Sequence, residues 1–254
     1  MDRFEFAQAL GREAGVMAHR GFGQSAATLK GRHDILTAMD AEVERFIRRA
    51  IADRFPGDAV IGEEEGGADG ERLWIIDPID GTANYARGIP HYCVSIGYLE
   101  HGVPTLGVIH DPSHDGLYAA ALGRGAWRND RRLAVSPCDD LGAATVECGW
   151  STRRSTADYL ALVARVMAAG CAIRRVGSGA LGLADVAAGR SEAYAELHIN
   201  AWDCAAGIVL VHEAGGYTND FFAGDGIAAG NPLIATNAAL RSQLETIIGM
   251  TTRH

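Results

Sequence analysis

Lysine is all but missing from this chain. Of its 23 basic residues one, Lys30, is lysine and the rest are arginine, so arginine serves wherever only positive charge is wanted and Lys30 stands out as chemically chosen. Cysteine is sparse: Cys93, Cys138, Cys148, Cys171 and Cys204 are an odd number with no C-x-x-C spacing. That pattern excludes a disulfide framework and a thiolate zinc site, and leaves most of them as small buried hydrophobes. Proline is scarce too, 7 in 254 residues, and no Ser/Pro-rich linker or low-complexity stretch interrupts the chain. It therefore reads as one unit over residues 1–254, with lobes of about 1–140 and 141–254. There is no basic excess either: 23 basic against 32 acidic residues give a net charge of −9, and the pairs Arg131-Arg132, Arg153-Arg154 and Arg174-Arg175 are scattered. Nucleic acid is not an expected partner. No apolar run reaches the ~18 residues of a membrane span, and Met1-Asp2-Arg3-Phe4-Glu5 alternates charge with apolar residues where a signal peptide needs a basic start and an apolar stretch. The expectation is a cytoplasmic protein with no membrane contact.

What is present is 48% hydrophobic residues and 32 glycines, enough for an ample core. Phe4, Ala7, Leu10, Ala14 and Met17 recur at helical spacing, and so do Val43, Phe46, Ile47, Ala50 and Ile51 between Asp40 and Phe55. Pro56-Gly57 should end that second helix. Ala59-Val60-Ile61 and Leu73-Trp74-Ile75-Ile76 read as buried strands, each running into acid: Glu63-Glu64-Glu65 after the first, Asp77 after the second. From Tyr92 to about Leu122, Val/Ile/Tyr-rich stretches broken by turn signals predict an antiparallel meander. His110-Asp111-Pro112-Ser113-His114-Asp115 falls inside it and reads as a hairpin turn rather than a metal cluster. Beyond residue 140 strands alternate with helices: strand 144–147, helix 156–169, strand near 173, helix 180–188, strand 193–196, helix 203–213, strand 233–236 and helix 238–248. Helices layered on mixed sheets predict an α/β or α+β sandwich rather than a uniform parallel sheet.

The most informative segment is Trp74-Ile75-Ile76-Asp77-Pro78-Ile79-Asp80-Gly81-Thr82-Ala83-Asn84-Tyr85. Two carboxylates lie three apart on a turn that Pro78 stiffens, just before a Gly-Thr pair. A short helix starting there would aim free N–H groups at one spot, an anion site. Carboxylates beside such a site repel phosphate unless cations lie between, so hard divalent cations with oxygen ligands, Mg²⁺ first, are one reading; a bare D-x-x-D-G on its own reads more readily as an Asp-Pro/Asp-Gly surface turn.

The run Asp77-Pro78-Ile79-Asp80-Gly81-Thr82-x-Asn84, the upstream Ile61-Gly62-Glu63-Glu64 and the downstream Trp202-Asp203-x-Ala205-Ala206-Gly207 together resemble the inositol monophosphatase family of metal-dependent, lithium-sensitive phosphatases. Leu36-Thr37-Ala38-x-Asp40, Gly177-Ser178-Gly179-Ala180 and Glu213-Ala214-Gly215-Gly216 extend the resemblance over nearly the whole chain. It implies a five-layered α-β-α-β-α sandwich and a phosphoric monoester hydrolase. By resemblance the metal ligands are Glu63, Asp77, the carbonyl of Ile79, Asp80 and Asp203, holding two or three Mg²⁺. Asp203 and Asp40, taken without the resemblance, could each be a helix N-cap.

The family's mechanism is in-line attack on phosphorus by a cation-activated water with no phosphoenzyme. The resemblance gives Glu63 and Thr82 the task of holding and activating that water, with Asp40 bonded to the Thr82 hydroxyl. Substrate contacts are expected from Asp80, Gly81, Thr82, Gly177, Ser178, Gly179, Glu196 and Asp203, and Lys30 matches a lysine near the family's metal site. The chain departs from the family at Tyr85, commonly Phe, and members vary at Asn200 and Ala201. The expected substrate is a small phosphorylated polyol, inositol 1-phosphate first, with histidinol phosphate next and the bisphosphates of adenosine or fructose after that. A regulatory or scaffold role is the reading from another class. The strands between Tyr92 and Tyr118 leave an apolar face or edge to be covered by helices, by the other lobe or by a second chain, and the resemblance implies the third, a symmetric homodimer, with a monomer as the alternative.

Overall fold

The computed structural model describes residues 2–23, 27–31 and 34–252; the side chain of Lys30 lies outside what is described. The first half runs α1 (Arg3–Gly21), β1 (Ala27–Gly31), β2 (Asp34–Thr37), α2 (Ala38–Arg54), β3 (Ala59–Gly62), β4 (Gly66–Gly67), β5 (Arg72–Asp80), α3 (Thr82–Tyr85), β6 (Cys93–Glu100), β7 (Val103–Asp111), β8 (Gly116–Ala121), β9 (Gly125–Arg128) and β10 (Arg131–Arg132). The second half runs β11 (Thr145–Cys148), α4 (Thr156–Ala168), β12 (Ala172–Arg174), α5 (Gly179–Ala187), β13 (Ala193–Ile199), α6 (Ala201–Glu213), β14 (Tyr217–Thr218), α7 (Gly226–Ala229), β15 (Asn231–Thr236) and α8 (Arg241–Ile248).

β1 and β2 form a hairpin of their own. The larger sheet has the order β10-β9-β8-β7-β6-β5-β3-β4 and the smaller β12-β11-β13-β15-β14. β3 runs parallel to β5, and β5 through β9 form the antiparallel meander that the Val/Ile/Tyr pattern predicts. At the β7–β8 turn Asp111 Oδ1 accepts the N–H groups of Ser113 and His114 at 3.1 and 3.2 Å, so the His/Asp run is a side-chain-braced turn.

β5 shows why the layers stack as they do. Trp74 and Ile76 point into a cluster with Leu10 and Ala14 of α1 and Val43 and Ile47 of α2. Leu73 and Ile75, on the opposite face, join Leu183 of α5 and Ile208 of α6. The period of two thus loads both faces of one strand, which is why its residues read as an unbroken apolar run. Beyond α5 and α6 lies the smaller sheet, and its far face packs Val146, Ala193 and Ile234 on Leu162 and Val166 of α4 and Leu244 and Ile248 of α8. The result is an α-β-α-β-α sandwich.

Two glycines set the spacing of its middle layer. A Cβ at Gly107 would stand 2.2 Å from the Ala206 carbonyl oxygen, and one at Gly97 would stand 2.8 Å from the Ala205 Cβ. Helix α6 therefore lies directly on the meander backbone, and its first turn reaches the end of β5.

Candidate metal centre and substrate cleft

β3 and β5 are paired in parallel with Gly62 opposite Ile76, so the residues that follow, Glu63 and Asp77, come level at one sheet end. Glu44 holds the Glu63 loop in place. Its buried carboxylate accepts the N–H groups of Glu64 and Glu65 at 2.8 and 3.0 Å and the Arg48 guanidinium at 2.8 Å. A Cβ at Gly62 would collide with that carboxylate at 2.4 Å, which gives the glycine before Glu63 a steric reason.

β5 carries Asp77 and Asp80 to its end. Asp77 Oδ1 accepts the Ile79 N–H at 2.9 Å, closing the turn around Pro78. Gly81 follows in the left-handed region at φ 94°, and a Cβ there would sit 3.0 Å from the His91 carbonyl oxygen, so only glycine fits comfortably. The short helix α3 then starts at Thr82, as the Gly-Thr pair predicts. Asn84 ties this turn to the second half of the chain, donating at 2.8 Å to the carbonyls of His91 and Val176.

The helices of the second half meet this turn end-on. Asp80 accepts Ser178 Oγ at 2.5 Å, the Ala180 N–H at 2.7 Å and the Gly179 N–H at 3.3 Å, so it caps the N-terminus of α5 across the interior. Ser178 is 3% exposed, and its hydroxyl also accepts the Leu181 N–H. Asp203 stands in the first turn of α6, where its Oδ2 accepts both the N–H and the side-chain amide of Asn200, at 3.1 and 3.2 Å. The N-cap alternatives drawn from the sequence are not realised. Asn200 caps α6, and Asp40 lies inside the first turn of α2 with its carboxylate facing Thr82.

Carboxylate oxygens of Asp77, Asp80 and Asp203 lie within 4.8 Å of one another. Burial pushes the Asp77 carboxyl well above the usual carboxylate range, and the charges of Glu63, Asp80 and Asp203 push it further. Asp203 is raised to about 7, by burial first and then by Asp80. Asp80 is also raised by burial, against the lowering effect of the hydrogen bonds from Ser178, Ala180 and Gly179. Such a group of acids resists ionising together unless cations join it. The donor set fits a hard cation: Asp77, Asp80 and Asp203 each offer a carboxylate oxygen, and two of the three are buried.

The Thr82 hydroxyl has two acceptors, the Ile79 carbonyl at 2.9 Å and Asp40 Oδ1 at 3.2 Å. With its one proton directed to either, its lone pairs face outward as an acceptor. Asp80, Asp203 and Glu63 open into a cleft of about 800 Å³ that also reaches Gly177, Glu196 and Trp150. Glu196 is buried and accepts the Tyr194 hydroxyl; burial raises its carboxyl to about 8.

The structure thus brings together every described residue that the sequence placed at the site: Glu63, Asp77, Ile79, Asp80, Gly81, Thr82, Asp40, Gly177, Ser178, Gly179, Glu196 and Asp203. Several residues in or behind the cleft escaped the sequence reading. Glu44 was hidden by the apolar stripe around it. Glu147 lines the cleft and is buried, with its carboxyl raised to about 7 by burial; an acid inside the strand pattern Thr145-Val146-Glu147-Cys148 was the available signal. Trp150 carried no pattern, and Arg153 and Arg175 stood out in the sequence only as members of scattered arginine pairs.

The chain matches the model of the inositol monophosphatase family over residues 2–250. It is 37% identical over 240 residues to an inositol-1-monophosphatase from Mesorhizobium japonicum, covering 91% of this chain and 90% of the relative. It is 44% identical over 201 residues to a protein named Nus factor SuhB from Xylella fastidiosa, covering 77% and 72%. Among solved structures, an IMPase from Thermotoga maritima superposes with a TM-score of 0.88 at 34% identity, covering 98% of this chain and 97% of that one.

Proposed function

Since the chain belongs to the inositol monophosphatase family and is a phosphoric monoester hydrolase, we propose that it hydrolyses small phosphorylated polyols with Mg²⁺, two or three ions per site, and that inositol 1-phosphate is its substrate. The observation that carries this reading is the convergence of Asp77, Asp80 and Asp203 in the cleft that also holds Glu196. Acids grouped this closely serve phosphate only through bound cations, and a carboxyl group a little further along suits a hydroxyl-rich alcohol. The whole chain is the unit of function, because residues from both sides of position 140 line that cleft.

Glu63, Asp77, Asp80, Asp203 and the Ile79 carbonyl would hold the metal. When bound, the cations neutralise the carboxylates, draw the phosphate in and offset charge on the leaving oxygen. The chain's own groups do the rest. The Thr82 hydroxyl donates its one hydrogen bond to Asp40 or to the Ile79 carbonyl, which leaves its oxygen lone pairs to accept a hydrogen bond from a water held between it and Glu63, and the Glu63 carboxylate would take the proton that water loses. Gly81 and Thr82, at a helix start, present N–H groups free of intrahelical partners. Glu196 and the Gly177–Gly179 loop meet the alcohol. Lithium sensitivity, a symmetric homodimer and a cytoplasmic location complete the reading.

A panel of phosphomonoesters ranked by kcat/KM, with and without chelator, tests it. Inositol 1-phosphate should rank above histidinol phosphate, and EDTA should abolish turnover until Mg²⁺ returns. A higher rank for histidinol phosphate overturns the substrate, and full turnover in chelator overturns the metal role. The relative named Nus factor SuhB supports a second reading, that the chain also works within a protein assembly. Affinity capture with the Asp80→Asn variant should recover the same partners as the native chain if that role is independent of catalysis.

A further inference from the structure

Glu63 stands on a turn with no apolar anchor. Between Gly62 of β3 and Gly66 of β4, which pair across the hairpin, the chain is three consecutive glutamates, so like charges repel there and no hydrophobic side chain pins the backbone. The fixings come from α2. Glu44 Oε2 accepts the Glu64 N–H at 2.8 Å, and Oε1 accepts the Glu65 N–H at 3.0 Å. One turn further along the helix, Arg48 Nε donates to Glu44 Oε1 at 2.8 Å, and its two Nη atoms donate to the carbonyls of Val60, at 3.4 Å, and Gly66. A single ion pair thus takes up N–H groups just past Glu63 and carbonyls on both flanking strands. Glu44 is fully buried yet does not line the cleft. A charge at that depth is costly unless its partners are in place, so the pair leaves the turn few alternatives.

The same helix reaches Thr82. Asp40 lies four residues before Glu44, hence on the same face of α2 and about 6 Å away along its axis. It too is fully buried, and its Oδ1 accepts the Thr82 hydroxyl at 3.2 Å. One helical turn therefore carries the carboxylate that orients Thr82 and the carboxylate that shapes the turn of Glu63.

We propose that Glu44, clasped by Arg48, is a positioning residue for the hydrolysis. Through the Glu64 and Glu65 N–H groups it sets the Glu63 carboxylate at the metal centre, and α2 fixes the spacing between Glu63 and Thr82. The inference rests on the reading of Glu63 as a metal ligand and adds to it the residue pair through which the ligand is placed.

The test titrates Mg²⁺ alone into the whole chain by calorimetry, so that it reads the metal centre without turnover, and then follows Mg²⁺-dependent hydrolysis of inositol 1-phosphate. Glu44→Gln keeps the size of the side chain but turns an amide towards one of the two N–H groups. It should weaken Mg²⁺ binding about tenfold and raise the Mg²⁺ concentration for half-maximal turnover by as much, with KM at saturating Mg²⁺ within about twofold of native. Arg48→Gln, at the more exposed end of the pair, should act in the same direction and less, and it serves as the variant to read if Glu44→Gln does not fold. In a Glu63→Gln background Glu44→Gln should change Mg²⁺ binding by less than about twofold, because the residue it acts through is gone. Leu162→Ala, a buried truncation in the far helix layer, should lower the melting temperature and leave Mg²⁺ binding unchanged. Native Mg²⁺ binding in the Glu44 and Arg48 variants overturns the proposal, as does full additivity of Glu44→Gln with Glu63→Gln. Equal weakening in Leu162→Ala also overturns it, since general stability would then account for the effect. A native chain that binds no Mg²⁺ instead overturns the metal reading itself.

Discussion

The two walls of the cleft handle negative charge differently. The strand wall, at the ends of β3 and β5, gathers carboxylates: Asp77 accepts the Ile79 N–H and shares a side-chain hydrogen bond with Asp203, and its carboxyl is driven well above the usual range. The helix wall, at the starts of α5 and α6, supplies N–H and O–H donors and one carboxylate, Asp203, which Asn200 grips twice. Asp80 belongs to the strand wall by sequence and to the helix wall by bonding, with three donors from Ser178, Gly179 and Ala180. Strands bring acids together cheaply in geometry but at a high electrostatic cost, and helix starts offset part of that cost with fixed dipoles. The part left over is what cations must supply.

Removing a charge from either wall should produce the largest effect. Asp77→Asn and Asp80→Asn should each lower kcat on the order of 10³-fold with Mg²⁺ present. Their stabilities should diverge. In chelator at pH 8, Asp77→Asn should melt above the native chain, because an acid held by burial and repulsion has been neutralised, while Asp80→Asn should show no such gain. Equal shifts would mean that the helix wall does not relieve Asp80.

Next in size is the effect of cutting the donor that joins the walls. Ser178→Ala removes the hydroxyl on Asp80 and the cap of α5 together. The Mg²⁺ concentration for half-maximal activity should rise about tenfold, and stability should fall by about 1 kcal/mol. Ser178→Thr should recover much of both, and unchanged Mg²⁺ dependence would remove Ser178 from the support of the metal centre.

The pH dependence of the metal-free protein sharpens the comparison further. Glu147 and Asp203 are raised to about 7 and Glu196 to about 8, each from an ordinary value near or below 4.5. Between the unfolded and folded values the folded chain holds protons that the unfolded chain has released, so stability is greatest at the acid end of that window and declines as pH rises towards 8. Melting temperatures in EDTA should therefore fall from pH 5 to pH 8. Glu147→Gln should flatten the slope, and saturating Mg²⁺ should remove the part due to Asp203. A rising curve would contradict the burial of these acids. Gly81→Ala should cost about 1–2 kcal/mol from the left-handed backbone at that turn, read as a lower melting temperature.

Much of this was legible from local pattern. Apolar alternation and helical spacing located α1, α2, β5 and the meander, because each buries a face whose period the sequence must carry. Boundaries slipped where caps decide them. The α6 region reads as starting at Asp203, yet Asn200 caps it and the helix begins at Ala201. Likewise α2 begins two residues before Asp40. The motif around Asp77 and Asp80 suits a cation site but by itself reads more readily as a surface turn, and both it and Glu63 among three consecutive glutamates were selected by their likeness to a family. Glu44, which turns that loop, looks like any helix-surface acid until Gly62 is seen against it.

The sequence by itself determined the layered α/β class and placed Asp77 and Asp80 three apart at the end of an apolar strand, since period and carboxylate spacing are properties of the chain read in order. The tertiary structure alone decided which N–H groups reach Asp80, how close α6 lies to the meander, and that Glu147 and Glu196 line the same cavity as Asp80 and Asp203. Those contacts join residues far apart along the chain through the packing of one sheet against another. No local pattern encodes them, because charge and hydrogen-bond partners act through distance in space and not through spacing in sequence.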